Sequence, residues 1–195
     1  MKKLMLLIAA FAFSGMQAQS FGVKGGLNVS TISNKGWDTT SSRIGFYAGG
    51  YMHAPVNQVL SIQPEILYSS VGSRYTNANT SHTRSLDYIT MPIMFQFELI
   101  PSFFVEAGPQ LGFMIGNKDK TTVGNKSVTI SDSDSYNPFD LNVVFGAGFR
   151  VNRGISITAR YFTGLTDISK NGQTTFKNDD KLRNSGFQFG IQYGL

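Results

Sequence analysis

From Phe187 to the end of the chain every second residue is large and apolar. Phe187, Phe189, Ile191, Tyr193 and Leu195 alternate with Gln188, Gly190, Gln192 and Gly194. A period of two places each set on its own face of a β-strand, whereas a helix needs apolar spacings of three and four. Seven earlier stretches share this character. The eight segments run roughly 20–32, 43–54, 58–71, 84–98, 102–115, 139–152, 154–166 and 185–195. None holds a helical apolar period, and Gly is scattered through most of them. The pattern predicts an all-β protein.

The connections between segments alternate in length. "APVN", "LIPS" and "VNRG" are tight, with Pro or Asn/Gly turn chemistry, while residues 33–42, 72–83, 116–138 and 167–184 form long polar links. Strands joined short, long, short, long put all tight turns at one end and all long loops at the other. Eight such strands return both termini to the tight-turn end. A transmembrane barrel has this asymmetry, with short periplasmic turns and longer external loops.

The residues allow two closed barrels. A soluble, lipocalin-like barrel would put the apolar face inward around a ligand; a membrane barrel would turn it toward lipid. The polar face separates them. In segment six, Leu141, Val143, Phe145, Ala147, Phe149 and Val151 oppose Asn142, Val144, Gly146, Gly148 and Arg150. In segment seven, Ile155, Ile157, Ala159, Tyr161 and Leu165 oppose Ser156, Thr158, Arg160 and Gly164. A surface in water carries dense Lys and Glu, but this face is mostly Gly, Ser, Thr, Gln and Asn. It reads as the filling of a narrow polar interior, so the expected fold is an eight-stranded antiparallel up-and-down transmembrane β-barrel. Phe21, Tyr68, Phe103, Phe139, Tyr161 and Tyr193, near strand ends, are candidates for the aromatic girdles.

The opening "MKKLMLLIAAFAFSGMQAQS" has the layout of a secretory signal peptide: Lys2 and Lys3, an apolar stretch from Leu4 to Phe13, then a short exit with expected cleavage after Ala18. Residues 1–18 are read as the leader and 19–195 as the barrel domain. Loss of Lys2 and Lys3 lowers the formal charge from +5 to +3. That small excess contains no Lys/Arg run and argues against nucleic acid as a partner. The chain has no cysteine, which excludes both a disulfide framework and a lipid-modified cysteine.

Without the leader there are 15 basic and 12 acidic residues, and six of them fall well within the segments: Lys24, Glu65, Glu98, Glu106, Arg150 and Arg160. Three positive and three negative charges on the inward face cancel. Because eight strands enclose just enough room for side chains, a paired structural plug is expected rather than a selectivity ring. Threading the segments predicts a Glu65–Glu106–Arg160 cluster, with Lys24, Glu98 and Arg150 nearer the periplasmic end. Inward glycines (Gly26, Gly49, Gly108, Gly146 and Gly190) are expected to make room for these long side chains.

Chemistry-bearing motifs are sparse. His53 lies beside "APVN" without a relay, and His82 in "NTSHTRS", near Ser81 and Ser85, is the one candidate base for a lipid hydrolase. "SDSDS", with Asp132 and Asp134, lacks the fixed positions of an EF-hand and reads as a solvated loop. P-loop, dinucleotide and zinc spacings are absent from the sequence. No catalytic, metal or cofactor site is expected.

"FGVKGGLNVSTI", "IQPEILYSSVGSR", "LDYITMPIMFQF", "FFVEAGPQLGFMIG" and "FDLNVVFGAGFRV" resemble, in order and spacing, the small porin-like (PorT-like) outer-membrane β-barrel family. The architecture also resembles the OmpA/OmpX-type barrel. The resemblance marks Glu65 and Pro92 as characteristic positions. It implies the outer membrane as destination, contact with outer-membrane lipid, insertion by the barrel-assembly machinery, and no cofactor. The expected function is a monomeric, non-enzymatic barrel whose external loops, chiefly 116–138 and 167–184, meet a partner or surface. A narrow channel for ions or small solutes is the alternative. A lipid hydrolase and a soluble lipocalin-like binder stand further back.

Overall fold

The computed structural model describes residues 19–33, 41–77, 80–123, 126–130, 137–166 and 183–195. The expected leader and Asp132 and Asp134 lie outside them. Nine strands follow in order: β1 (Ser20–Ser33), β2 (Ser41–Pro55), β3 (Leu60–Asn77), β4 (Thr80–Ile100), β5 (Phe103–Val123), β6 (Lys126–Ile130), β7 (Phe139–Arg150), β8 (Ile155–Gly164) and β9 (Arg183–Gly194). All pairings are antiparallel. Pairing of β4 with β5 and of β1 with β9 closes eight strands into a ring, β1-β2-β3-β4-β5-β7-β8-β9. Closure follows from the environment: an open edge in hydrocarbon leaves N–H and C=O groups unpaired at several kcal/mol each, on the order of magnitude known for such groups.

The ninth strand corrects the expected loop at 116–138. β5 pairs with β7 only from Phe103 to Phe113; from Asp119 to Val123 it pairs with β6 instead. β6 thus occupies, above the ring, the place β7 holds within it. The expected loop at 72–83 is corrected likewise, since β3 and β4 stay paired from Gly72↔Ser85 to Asn77↔Thr80. β4 and β5 have 21 residues each against 10 in β8. About 9–11 tilted residues cross a bilayer, so the wall on the β3–β6 side rises well beyond the membrane.

At the tight-turn end the first turn is 56–59 rather than 54–57, because β2 runs on to Pro55. Its chemistry is an Asn cap: Asn57 Oδ1 accepts from the amides of Val59 and Leu60, both at 2.8 Å. Asn152 repeats it between β7 and β8, accepting from Gly154 at 2.9 Å and Ile155 at 2.8 Å. An Asx side chain that bonds the backbone two and three residues on holds a short reversal without a longer loop.

Burial along the strands inverts that of a soluble protein. In β9, Phe187 and Phe189 are each 50% exposed, while Gln188 between them is 2% exposed. Leu27, Phe46, Ile66, Phe145 and Ile157 are exposed in the same way, whereas Asn28, Gln63, Gln96, Gln110 and Thr158 are buried. The apolar face therefore looks outward. Aromatic contacts cluster on it: Phe113 meets Phe139 edge-on at 5.7 Å, and Tyr161 lies 5.2 Å from Phe187. The interior is less uniformly polar than the sequence suggests. Val71, Leu86, Tyr88, Met94, Val144 and Phe162 form an apolar cluster within it. Strand parity identifies these positions as inward, but their side chains satisfy neither the polar nor the Gly pattern.

Candidate functional site

The interior is organised around Arg160 on β8. Its guanidinium forks between two carboxylates. Nη1 and Nη2 donate to Glu65 Oε2 and Oε1 at 2.9 and 2.7 Å; Nε and Nη2 donate to Glu106 Oε1 and Oε2 at 2.5 and 3.0 Å. Two-pronged contacts of this kind suit the planar fork of Arg and fix its orientation. Lys24 Nζ completes a quartet, 3.1 Å from Glu65 Oε1. Amides add further donors to oxygens the cations already hold: Gln63 Nε2 reaches Glu65 Oε1 at 2.7 Å, and Gln96 Nε2 reaches Glu106 Oε2 at 3.0 Å. All four charged side chains are at most 1% exposed, and their formal charges cancel.

Four strands supply this quartet: β1, β3, β5 and β8. The ring places Gly146 directly beside Arg160. A Cβ at Gly146 would stand 2.7 Å from Arg160 Cγ and 3.2 Å from Glu106 Oε1, so this glycine makes the room the ion pairs need. Gly190 does the same for the Tyr47 hydroxyl. Gly26, Gly49 and Gly108 do not serve long side chains. A Cβ on them would strike the backbone at Phe189, Ile66 and Ile93, so they permit close approach of neighbouring strands.

Glu65, Glu106 and Arg160 come together, and Lys24 joins them rather than the periplasmic end. The difference arises because barrel strands tilt and stagger, so equal residue counts from the strand ends are not equal depths. Glu98 and Arg150 remain apart, paired at 2.8 Å and partly exposed at the tight-turn mouth, with the Arg150 guanidinium 5.3 Å from the Phe104 ring centre.

Toward the external end a second polar group occupies the lumen. Asp140 accepts from Thr166 Oγ1 at 2.9 Å and from Asn184 Nδ2 at 3.0 Å. Asn28 Nδ2 donates to Ser69 Oγ and the Ser70 carbonyl, both at 3.0 Å. Arg43, inside β2, donates to Ser70 Oγ at 3.2 Å and the Val71 carbonyl at 3.1 Å. The sequence reading missed Arg43 and Asp140 as interior residues because both stand at segment ends. Beside this group lies a cavity of about 10 Å³, lined among others by Asp140, Asn184, Thr90, Gln110 and Gln188. It has room for about one water. At the depth of the quartet the lumen is filled by these paired side chains.

The hydrolase candidate does not assemble. His82 Nδ1 is 2.9 Å from Thr121 Oγ1, and Ser81 Oγ accepts from Arg74 Nε at 3.3 Å. His82 lies within β4, where Ser81 and Ser85 have the opposite parity and project to the other face. At the other end, His53 on β2 lies near Gln63 and Gln96. Among the described residues no group of three or more His, Cys, Asp or Glu is placed to hold a metal ion.

A closed eight-stranded ring, apolar outside and charge-paired inside, defines an integral membrane β-barrel. The profile of the outer membrane protein beta-barrel domain matches residues 17–170, and the chain belongs to that family. Its location is the cell outer membrane. No curated protein matches the chain. Among solved structures, neisserial surface protein A is similar at 17% identity and a TM-score of 0.54, covering 91% of this chain and 99% of its own. Ail, the attachment invasion locus protein of Yersinia pestis, is similar at 12% identity and a TM-score of 0.53, covering 90% and 98%. CarO of Acinetobacter baumannii follows at 11% identity and a TM-score of 0.51, covering 89% and 97%. At these identities the likeness is one of fold.

Proposed function

We propose that this protein is a monomeric, non-enzymatic surface barrel whose interior is closed by paired charges and whose raised β3–β4 and β5–β6 hairpins make its external contacts. The observation that carries the reading is the Arg160 fork. A guanidinium held by four hydrogen bonds to two carboxylates at most 1% exposed fills the lumen rather than lining it. A selectivity ring would leave its charges facing a water path. The opposed faces of Ser81 and His82 favour a non-enzymatic role. External contact by the hairpins accords with Ail, one structure of which is a complex with the heparin analogue sucrose octasulfate. Outer-membrane lipid surrounds the wall, and the barrel-assembly machinery inserts it; neither nucleic acid nor a cofactor enters the reading.

Single-channel recording in planar bilayers tests it. The wild-type barrel is expected to give no steady conductance. Steady current that disappears on substituting Arg160 would replace the plug with a narrow pore for ions or small solutes.

A further inference from the structure

The outward face of the raised wall carries a second charge group, unconnected with the plug. On β5 the outward residues Phe103, Val105, Ala107, Leu111, Phe113 and Ile115 make a continuous apolar run. At the 35–45° tilt of such barrels this run spans about 30 Å along the membrane normal, the thickness of the hydrocarbon layer. Immediately beyond it come Lys118 and Lys120, both exposed. The register puts Ser85 beside Lys118 and places Thr83 between Lys120 and Arg74. Arg74, Lys118 and Lys120 thus share one outward ledge, with the short hydroxyl side chains of Thr83 and Ser85 in its middle. Neighbouring strands are about 4.8 Å apart, so Arg74 and Lys120 flank Thr83 across about 10 Å and can converge on one group. Among the described residues Arg74 bonds through its Nε, to Ser81 Oγ at 3.3 Å. None of the three cations has an ion-pair partner among the described residues.

We infer that this ledge binds the phosphate of a phosphorylated lipid headgroup in the outer leaflet. Three features select that occupant over a soluble polyanion. The cations project sideways from the wall rather than over its mouth. They begin where the lipid-facing apolar run ends, at the depth where a headgroup lies. Arg supplies a planar fork, two Lys supply point charges, and the hydroxyls supply small donors, a set suited to phosphate oxygens. Asp87, the nearest acidic residue on this face of β4, is one step deeper and lies beside Gly116 rather than among the cations.

The test uses the full barrel in phosphatidylcholine nanodiscs containing a trace of lipid A, or of lipid A stripped of its phosphates, with retained lipid counted by native mass spectrometry. Wild type is expected to retain the phosphorylated form selectively, and high salt is expected to weaken retention. A basic residue near an anionic membrane surface contributes about 1 kcal/mol, or roughly fivefold, so R74Q/K118Q/K120Q should lose about a hundredfold. These side chains are exposed and the variant keeps the barrel core. Its heat-modifiable gel mobility checks folding, and R74Q alone, expected to lose about fivefold, provides the comparison if the triple variant fails to fold. Equal retention of the two lipids by wild type, or unchanged retention by folded variants, overturns the assignment. So does displacement of the phosphorylated lipid by a soluble sulfated sugar at low concentration, which would give the ledge to an external polyanion.

Discussion

Arg160 shows why a buried ion cluster is costly to dismantle one residue at a time. Its fork satisfies Glu65 and Glu106 together, while Lys24 shares an oxygen of Glu65 with Arg160 Nη2. Arg160→Ala leaves two enclosed carboxylates facing one ammonium. Loss of one partner from a buried pair typically costs about 3–5 kcal/mol, and that loss is expected in urea titrations of the barrel in vesicles, followed by gel mobility. Neutralising the whole quartet, as K24M/E65Q/E106Q/R160M, leaves no unpaired charge and should recover most of the deficit. If the fourfold variant is as unstable as Arg160→Ala, the penalty arises from packing rather than from unpaired charge. The charged residues themselves were visible in the sequence, as was the need for them to cancel. The depth of Lys24 was not, because residue counts say nothing about tilt and stagger. Gln63 and Gln96, which complete the network, look in sequence like any other inward polar residue.

Each strand works as an element because its two faces meet different solvents. The parity of β9 was legible at once, since lipid on one side and packed lumen on the other imprint a strict alternation. The external ends of β3, β4 and β5 were not legible. "TNANTSHTRS" has no apolar face because neither side of that hairpin meets the hydrocarbon layer, yet β3 and β4 stay in register there from Gly72↔Ser85 to Asn77↔Thr80. Polar stretches of this kind read as loops, and the β5–β6 hairpin was hidden for the same reason. Lipid contact also predicts a dependence on depth. Phe189 pairs with Leu27 and Ala159 in mid-wall, whereas Tyr193 pairs with Val23 and Ile155 beside the Gly154 turn. Phe189→Arg is expected to cost about 2–4 kcal/mol and Tyr193→Arg about 0–1 kcal/mol. Equal penalties in urea titrations in lipid vesicles would contradict the placement of the membrane.

The ring as a whole depends on an even number of strands. β1 and β9 pair from Gly22↔Gly194 to Ser33↔Arg183, and Leu195 N donates to the Phe21 carbonyl at 2.7 Å. Without β9, the facing edges would be β1 and β8, which run in the same direction and cannot form the antiparallel seam found everywhere else in the wall. A chain ending at Thr166 should therefore fail to acquire the compact, SDS-resistant form that a folded barrel shows before boiling, because its open edges strand polar backbone in hydrocarbon. The position of the break in the chain matters much less than closure. With Leu195 and Phe21 already hydrogen-bonded, a permutant that joins them through a short linker and begins at Thr80 keeps every pairing of the ring. It is expected to recover heat-modifiable mobility. Its failure, alongside a truncated chain that folds normally, would show that seam closure is not what holds the barrel in the membrane.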